Sequence, residues 1–363
     1  MKILYDDQIF SFTEFGGVSK YFTELMNYYY FNEIPFDLTV QYSNNQHLQA
    51  LSILRKKPWL NKIKFPRKGL LIHYLHYPTN RKKISRGDFD VFHPTYFDTY
   101  FLKFLKKKPY ILTIYDMIPE IFLDNSFLGR LLIKNKRLLM DNAAKIIAIS
   151  QSTKNDILQL YNYDESEIEV VHLGIKITKP RSEFLNVPYK YLLFVGNRGG
   201  YKNFDRTIRA IAPVLQERQD LSLICAGSGN FNQLERDLFE KLNIFKQISH
   251  CPITDSSLPM LYRNALCFIF PSLYEGFGIP ILEAFSNNCP VILSNTSSFP
   301  EVAEDAAEYF DPFSEVSIRT SVTKILDDVE LRERIIRKGT ERIKAFSIEN
   351  MAGKTLNVYK SVL

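Results

Sequence analysis

The stretch SLYEGFGIPILEAFSNNCPVILSN, from Ser272 to Asn295, sets two carboxylates, Glu275 and Glu283, eight positions apart. LCFIFPS, just before and into it, reads as a short buried strand, and PVILSN at its end reads as another. Between them LYEGFG is a glycine-bearing loop. IPILEAFSNN is a helix, with Pro280 in the first turn, where a missing N–H costs nothing. Strand, loop, helix and strand make one repeat of a parallel α/β sheet. If the path were helical throughout, Glu283 would lie about 12 Å from Glu275 at 1.5 Å per residue. Carboxylates that far apart are poorly placed to share a proton or chelate one small ion. They are well placed to grip two ends of a long, hydroxyl-rich ligand: one Glu for a sugar, one for a ribose, with a diphosphate held between.

The same rhythm extends in both directions. YLLFVG, LSLICAG and ISHCPI are strand-like runs, separated by the helical runs NFDRTIRAIAPVLQER, NQLERDLFEKLNI and SLPMLYRNA. The first half carries KILYD, DVFHPTY, PYILTIYD, KIIAIS and EIEVVHL, with YFTELMNYYYF, RLLIKNKRLLMDNA and STKNDILQLYN between them. The expected fold class is α/β: two doubly wound, Rossmann-like parallel-sheet domains facing across a cleft. IKITKPRSEFLNVPYK is polar, holds two prolines and lacks periodicity, so it reads as a linker. The expected boundaries are an N-terminal domain over 1–175, a linker over 176–190 and a C-terminal domain over 191–345. A C-terminal helix over 346–363 is free to cross back to the first domain.

Composition agrees with a soluble globular protein. The 363 residues are 45% hydrophobic and 24% charged, and their length favours two domains. No apolar run reaches bilayer length. Asp6 and Asp7 stand where a signal peptide would need its apolar core, so a cytoplasmic protein is expected. Cys225, Cys251, Cys267 and Cys289 form no C-x-x-C pair and read as buried, reduced thiols.

Ligands of parallel sheets bind beyond the carboxyl ends of the strands, so the turns there carry the functional reading. EFGGVSK places Gly16 and Gly17 at a strand-to-helix junction, where backbone N–H groups can approach an anion. FVGNRGGYKN opens the backbone at Gly196, Gly199 and Gly200. It frames them with Arg198 and Lys202, a pair suited to a diphosphate. CAGSGN, with Gly229, is a weaker signal of the same kind. G-x-G-x-x-G and Walker A patterns are both absent from these turns, which weakens nicotinamide and P-loop readings.

GGVSKYF, FHPTYFD, TIYDMIPE, IAISQSTKNDI, FVGNRGGYKNF and the E-x7-E stretch together closely resemble the retaining glycosyltransferases of family 4, which have the GT-B fold. The resemblance covers nearly the whole chain. It implies that Glu275 contacts the transferred sugar and Glu283 the ribose, and that Arg198 and Lys202 neutralise the diphosphate. Gly16 and Gly17 would approach it from the other domain, and Phe277 and Gly278 would offer backbone N–H groups. Gly196, Asn197, Gly229, Gly276 and Ile279 complete the implied donor set. No cofactor or metal is implied beyond the GDP- or UDP-linked sugar itself. The acceptor hydroxyl would attack on the face the phosphate leaves, and the departing diphosphate would take the proton. Many members carry His-Asp where this chain has Tyr115-Asp116, and a Tyr hydroxyl cannot take up a proton near neutral pH. His93 is the remaining imidazole candidate in that region; Asp116 is either an acceptor-orienting group or a turn cap.

The function expected is transfer of mannose or a related hexose to a glycan or lipid-linked oligosaccharide in polysaccharide biosynthesis. A non-catalytic nucleotide-sugar-binding subunit and a UDP-sugar epimerase are the rival readings. From Arg55 to Arg86 there are eleven Lys or Arg and no acid, interleaved with Trp59, Tyr74 and Tyr77. This tract suits peripheral contact with the inner face of the cytoplasmic membrane, where a polyprenyl-diphosphate-linked acceptor would reside. Nothing resembles a nucleic-acid-binding motif.

Overall fold

The computed structural model describes residues 1–51, 68–176, 187–253 and 257–363. The chain divides into two compact units: Met1–Gly174 with Ser347–Leu363, and Ile175–Phe346.

In the first unit β1 (Ile3–Tyr5), β2 (Phe36–Leu38) and β3 (Val91–His93) pair in the order β2-β1-β3. β4 (Ile111–Ile114), β5 (Lys145–Ala148) and β6 (Ile168–Val170) pair in the order β4-β5-β6. A single parallel bridge between Phe92 and Tyr110 joins the two sets. The second unit holds β7 (Lys190–Val195), β8 (Leu221–Ala226), β9 (Ile248–Cys251), β10 (Cys267–Phe270), β11 (Val291–Ser294) and β12 (Glu308–Phe310). Its order is β12-β11-β10-β7-β8-β9, and every pair is parallel. This is the doubly wound order, in which the chain reverses direction across the sheet between β7 and β10.

Strands this apolar form because both faces are covered. Leu192, Leu193, Ile224, Phe268, Ile269 and Ile292 are all completely buried. The helices between them turn one apolar face inward, as Ile208, Ile211 and Leu215 do on helix Phe204–Glu217. Cys225, Cys267 and Cys289 are buried free thiols, and Cys251 is partly exposed. Ser150, after β5, caps helix Gln151–Leu160 by accepting from the Thr153 amide at 3.0 Å.

β2 and β12, at the outer edges of their sheets, passed unread in the sequence. The basic tract divides: Lys68–Arg86 form a helix with Pro78 inside it, while positions 52–67, including Arg55, Lys56, Lys57 and Trp59, lie outside the described residues. Linker positions 177–186 also lie outside them. No helix among the described residues is long and apolar enough to cross a membrane.

Helix Ile348–Lys360 belongs to the first unit and packs on helix Gly17–Phe31. Its Tyr359 is fully buried and bonds the Tyr5 hydroxyl at 2.9 Å. The helix is entered at Ser347, against Gly174. A Cβ built on Gly174 would lie 2.5 Å from the Ser347 carbonyl oxygen and 2.9 Å from the Ile348 Cα. Those atoms are backbone and cannot swing aside. Gly174→Ala should therefore cost roughly 1–3 kcal/mol by overpacking, read as a lowered urea midpoint of the full chain. An unchanged midpoint would show that this junction can open.

Candidate functional site

In the second unit the turns after β7, β8, β10 and β11 are tied to one another. After β7 the chain turns at Gly196, whose φ of +114° favours glycine. Asn197 is exposed, and Arg198 is not. The Arg198 guanidinium meets Glu235 at 2.7 Å, and donates to the carbonyls of Gly227, Gly229 and Asn230 at 3.0–3.2 Å. Glu235 in turn closes the capping box of helix Gln233–Lys241 with Asn232. Arg198 thus arrives neutralised and holds the Gly227–Asn230 turn in shape, rather than standing as a free cation beside Lys202. The sequence hid this because Glu235 is thirty-seven positions away. A cavity of about 660 Å³, lined in part by Gly199, Gly200, Ser228 and Asn230, opens beside it.

Lys202 is placed differently. Its ammonium lies 2.5 Å from Glu275 Oε1, with both side chains mostly buried. The Leu273 amide donates to the Tyr201 carbonyl at 2.7 Å, so the two turns are joined by backbone as well. These turns follow β7 and β10, the neighbours at which strand order reverses. In open α/β sheets that switch point is the ligand crevice. The two residues singled out for diphosphate and sugar are therefore brought together there.

The Glu275 loop is supported from after β11. Ser297 Oγ accepts from the Glu275 amide at 3.0 Å, and Ser298 Oγ donates to the carbonyls of Glu275 and Phe277 at 2.9 Å. Thr296 Oγ1 reaches the Leu273 carbonyl at 3.2 Å. Sequence reasoning passed over these three, although hydroxyl residues at a strand's carboxyl end were a readable signal. Gly276 and Phe277 are buried, with the Phe277 ring edge-on to Phe346. Gly278, at φ +101°, begins helix Ile279–Ser286, whose first residue is Ile279; a Cβ there would strike Ile281 and Phe299. Glu283 lies on that helix, half-buried, 3.4 Å from the Tyr262 hydroxyl.

In the first unit Gly16 precedes the first turn of helix Gly17–Phe31, and a Cβ on it would meet no atom within 4 Å. Tyr115 and Asp116 follow β4. Tyr115 is buried, and its hydroxyl finds no hydrogen-bond partner among the described residues. Burial pushes its pKa well above the usual value, so it can donate but not act as a base. Asp116 Oδ1 accepts from the Ile118 amide at 3.0 Å and its carbonyl accepts from Lys136 at 2.8 Å, the geometry of a turn cap. His93 is a core residue. Its Nδ1 bonds Tyr359 at 2.6 Å and its Nε2 bonds Thr113 at 2.9 Å, leaving neither nitrogen for a ligand. The alternation of DVFHPTY shows that His93 ends a strand, but not that Tyr359 covers it.

A second polar cluster, unread in the sequence, lies after β1. Asp7 is fully buried and accepts from Ser11, His73, His76 and Asn80 at 2.5–3.2 Å. Burial would raise its carboxyl, but the histidine hydrogen bonds hold it far below the usual range. Asp6, beside it, is pushed up to about 6 by burial and by the Asp7 charge. No group of three or more His, Cys, Asp or Glu side chains among the described residues is arranged to hold a metal ion.

Two parallel-sheet α/β units, one with a Lys-Glu pair and a helix start at its switch point, are the layout of the GT-B fold. The comparisons place it more closely. Residues 15–179 match the model described as Glycosyltransferase Family 4, and residues 176–342 match that described as Glycosyl transferases group 1. Together the two matches run from 15 to 342, one glycosyltransferase domain in each half of the chain. It is 32% identical over 239 residues to the O-antigen chain mannosyltransferase B of Escherichia coli, covering 61% of each chain. The chain spans about 60% of the length of the curated relatives it matches. Among solved structures, sucrose-phosphate synthase from Thermosynechococcus elongatus is similar with a TM-score of 0.78 at 17% identity, covering 99% of this chain and 98% of that one. Anabaena Alr3699/HepE in complex with UDP and glucose gives 0.74 at 16% identity, covering 99% and 100%.

Burial lowers the His93 pKa to about 3, from an ordinary value near 6.5. Between those values the unfolded chain holds a proton that the folded chain lacks. Stability should therefore fall as pH drops through this window, by at most about 1.4 kcal/mol per pH unit from this group. His93→Gln removes that contribution. The stability gap between wild type and variant should narrow from pH 7 to pH 5 in urea unfolding. A gap constant with pH would refute the assignment.

Proposed function

We propose that this chain is a retaining glycosyltransferase. It takes mannose or a related hexose from a nucleoside diphosphate sugar and passes it to a glycan or lipid-linked oligosaccharide in polysaccharide synthesis. The observation that carries the reading is the meeting of Lys202 and Glu275 at the switch point, beside the start of helix Ile279–Ser286. A donor diphosphate there would take the Lys202 ammonium from Glu275 and lie against the amides of the helix start, which favour negative charge. Glu275, so released, would accept hydrogen bonds from the sugar hydroxyls, and Glu283 from the ribose. The similarity to an O-antigen mannosyltransferase supports mannose, and the family supports a nucleotide sugar.

The chemistry then rests on charge placement. As the glycosidic bond breaks, negative charge grows on the leaving phosphate, and Lys202 with the loop amides stabilises it. In this reading those groups do the work a bound cation does elsewhere. The leaving phosphate accepts the acceptor's proton, so no protein base is called for, and the buried neutral His93 and Tyr115 are compatible with that. Arg198 contributes by fixing the Gly227–Asn230 turn.

Lys202→Ala and Arg198→Ala should therefore fail differently. Lys202→Ala should cut turnover of the productive nucleotide sugar by two or more orders of magnitude, with an intact fold. Arg198→Ala strands Glu235 in a buried site and should cost about 3–5 kcal/mol of stability. Equal stabilities and equal, near-normal rates would refute the division of roles.

Glu283→Gln should weaken binding of free GDP or UDP in calorimetric titration, while Glu275→Gln should leave it and slow transfer. The reverse pattern would reverse the two assignments. Turnover screened across GDP- and UDP-sugars tests the function itself.

A further inference from the structure

Beyond Asp116 the first unit turns an apolar surface outward. Ile121, Phe122, Leu123 and Leu131 are exposed, and Phe127 and Leu128 are 73% and 75% exposed. They stand on the end of helix Ile118–Phe122, the turn after it, and the start of helix Phe127–Asn142.

This turn is built to hold them out. The Ser126 amide donates to the Leu123 carbonyl at 3.0 Å, and Ser126 Oγ accepts from the Gly129 amide at 2.9 Å. Arg130 donates to the Asn125 carbonyl at 3.1 Å. A Cβ at position 129 would lie 1.9 Å from the Leu123 carbonyl oxygen, so only glycine permits the two helices to approach this closely. Beneath, Lys136 is completely buried. It pairs with Glu120 at 2.8 Å and donates to the Asp116 carbonyl at 2.8 Å. The apolar surface is thereby fastened to the turn that ends β4.

Its charge is one-sided. Within 121–138 Asp124 is the one acid, while Arg130, Lys134 and Arg137 are exposed cations. A protein partner covering Phe127 and Leu128 would also have to neutralise those cations. An anionic bilayer does both with one surface: apolar tips enter the headgroup boundary and cations meet lipid phosphates.

We propose that residues 121–131, with Arg130, Lys134 and Arg137 around them, dock this protein on an anionic membrane surface. The proposal deepens the functional reading and depends on it only for its purpose. Docking there would set the carboxyl end of β4, through Lys136 and Asp116, next to the lipid from which a lipid-linked acceptor projects. The described part of the basic tract is the rival anchor that the test must separate, with Arg81, Lys82 and Arg86 exposed. Helix Lys68–Arg86 also exposes Leu70, Leu71, Tyr74 and Leu75. However, Lys68 and Lys83 lie within ion-pair distance of Glu14 and Asp37.

The test is sedimentation of the full chain with vesicles of phosphatidylcholine alone and of phosphatidylcholine with phosphatidylglycerol. Wild type should bind the anionic vesicles preferentially and lose binding as salt rises. The Phe127→Ser/Leu128→Ser double variant should bind them at least about tenfold less, with donor hydrolysis in solution unchanged. The proposal is overturned by undiminished binding of that variant, or by binding lost only in Leu71→Ser/Tyr74→Ser. It is also overturned if wild type ignores vesicles and instead self-associates through Phe127 and Leu128. A wild type that binds vesicles but turns over no nucleotide sugar would sink the enzymatic reading and leave this one standing.

Discussion

Parallel pairing is the constraint from which the rest of this structure follows. In every strand pair of both units the chains run the same way, so each unit delivers its carboxyl ends to one edge. A parallel strand cannot be followed by a tight hairpin; it must leave through a turn into a helix. Each strand therefore ends in a turn with backbone groups that the sheet does not satisfy. The second unit resolves this by letting the turns satisfy one another. Arg198 serves the turn after β8, Tyr201 and Lys202 serve the turn after β10, and Thr296, Ser297 and Ser298 serve it from after β11. The site is a by-product of that mutual support.

The first unit answers the same constraint with buried charge. Asp6 and Asp7 follow β1 directly, and two adjacent carboxylates inside a protein cannot both be ionised cheaply. The structure separates them. Asp7 takes the histidine donors. The Nε2 of His76 accepts from the amides of Gln41 and Tyr42 at 3.1 Å, so its proton sits on Nδ1, facing Asp7. Asp6 takes neutral donors only: the amide and hydroxyl of Thr95, the Gln8 amide and the Tyr100 hydroxyl. One carboxyl is pushed down and its neighbour up. This network ties helix Lys68–Arg86 and the turn after β3 to the end of β1.

How much of this was legible depended on range along the chain. The strands and most helices were readable because apolar runs and their polar stops are local. The edge strands Phe36–Leu38 and Glu308–Phe310 were passed over. Helix Lys68–Arg86 was obscured by its cations and by Pro78. At the site, the E-x7-E stretch and Lys202 were visible because glycine turns and charges sit side by side there. The state of Arg198 depends on Glu235, that of His93 on Tyr359, and that of Asp7 on His73 and His76. Each of those partners is remote in sequence. A single sequence shows a charged or imidazole side chain but not whether the fold has already spent it.

That distinction separates the two cations of the Gly196–Lys202 turn. Arg198 is held by a carboxylate and three carbonyls, and a ligand would have to dismantle a capping box and a turn to claim it. Lys202 is held by one carboxylate, on a loop whose backbone is fixed independently by Ser297 and Ser298. Exchanging Glu275 for a phosphate at Lys202 leaves that loop's own hydrogen bonds intact. The exchange keeps the ammonium paired and turns a carboxylate loose beside the group that displaced it. A lysine suits this position better than an arginine, because a point charge can change partners without the planar register that a guanidinium demands. Under the proposed function the turn would use its two cations for opposite purposes: the fork-shaped one fixes the backbone, and the lysine would exchange its carboxylate for a phosphate.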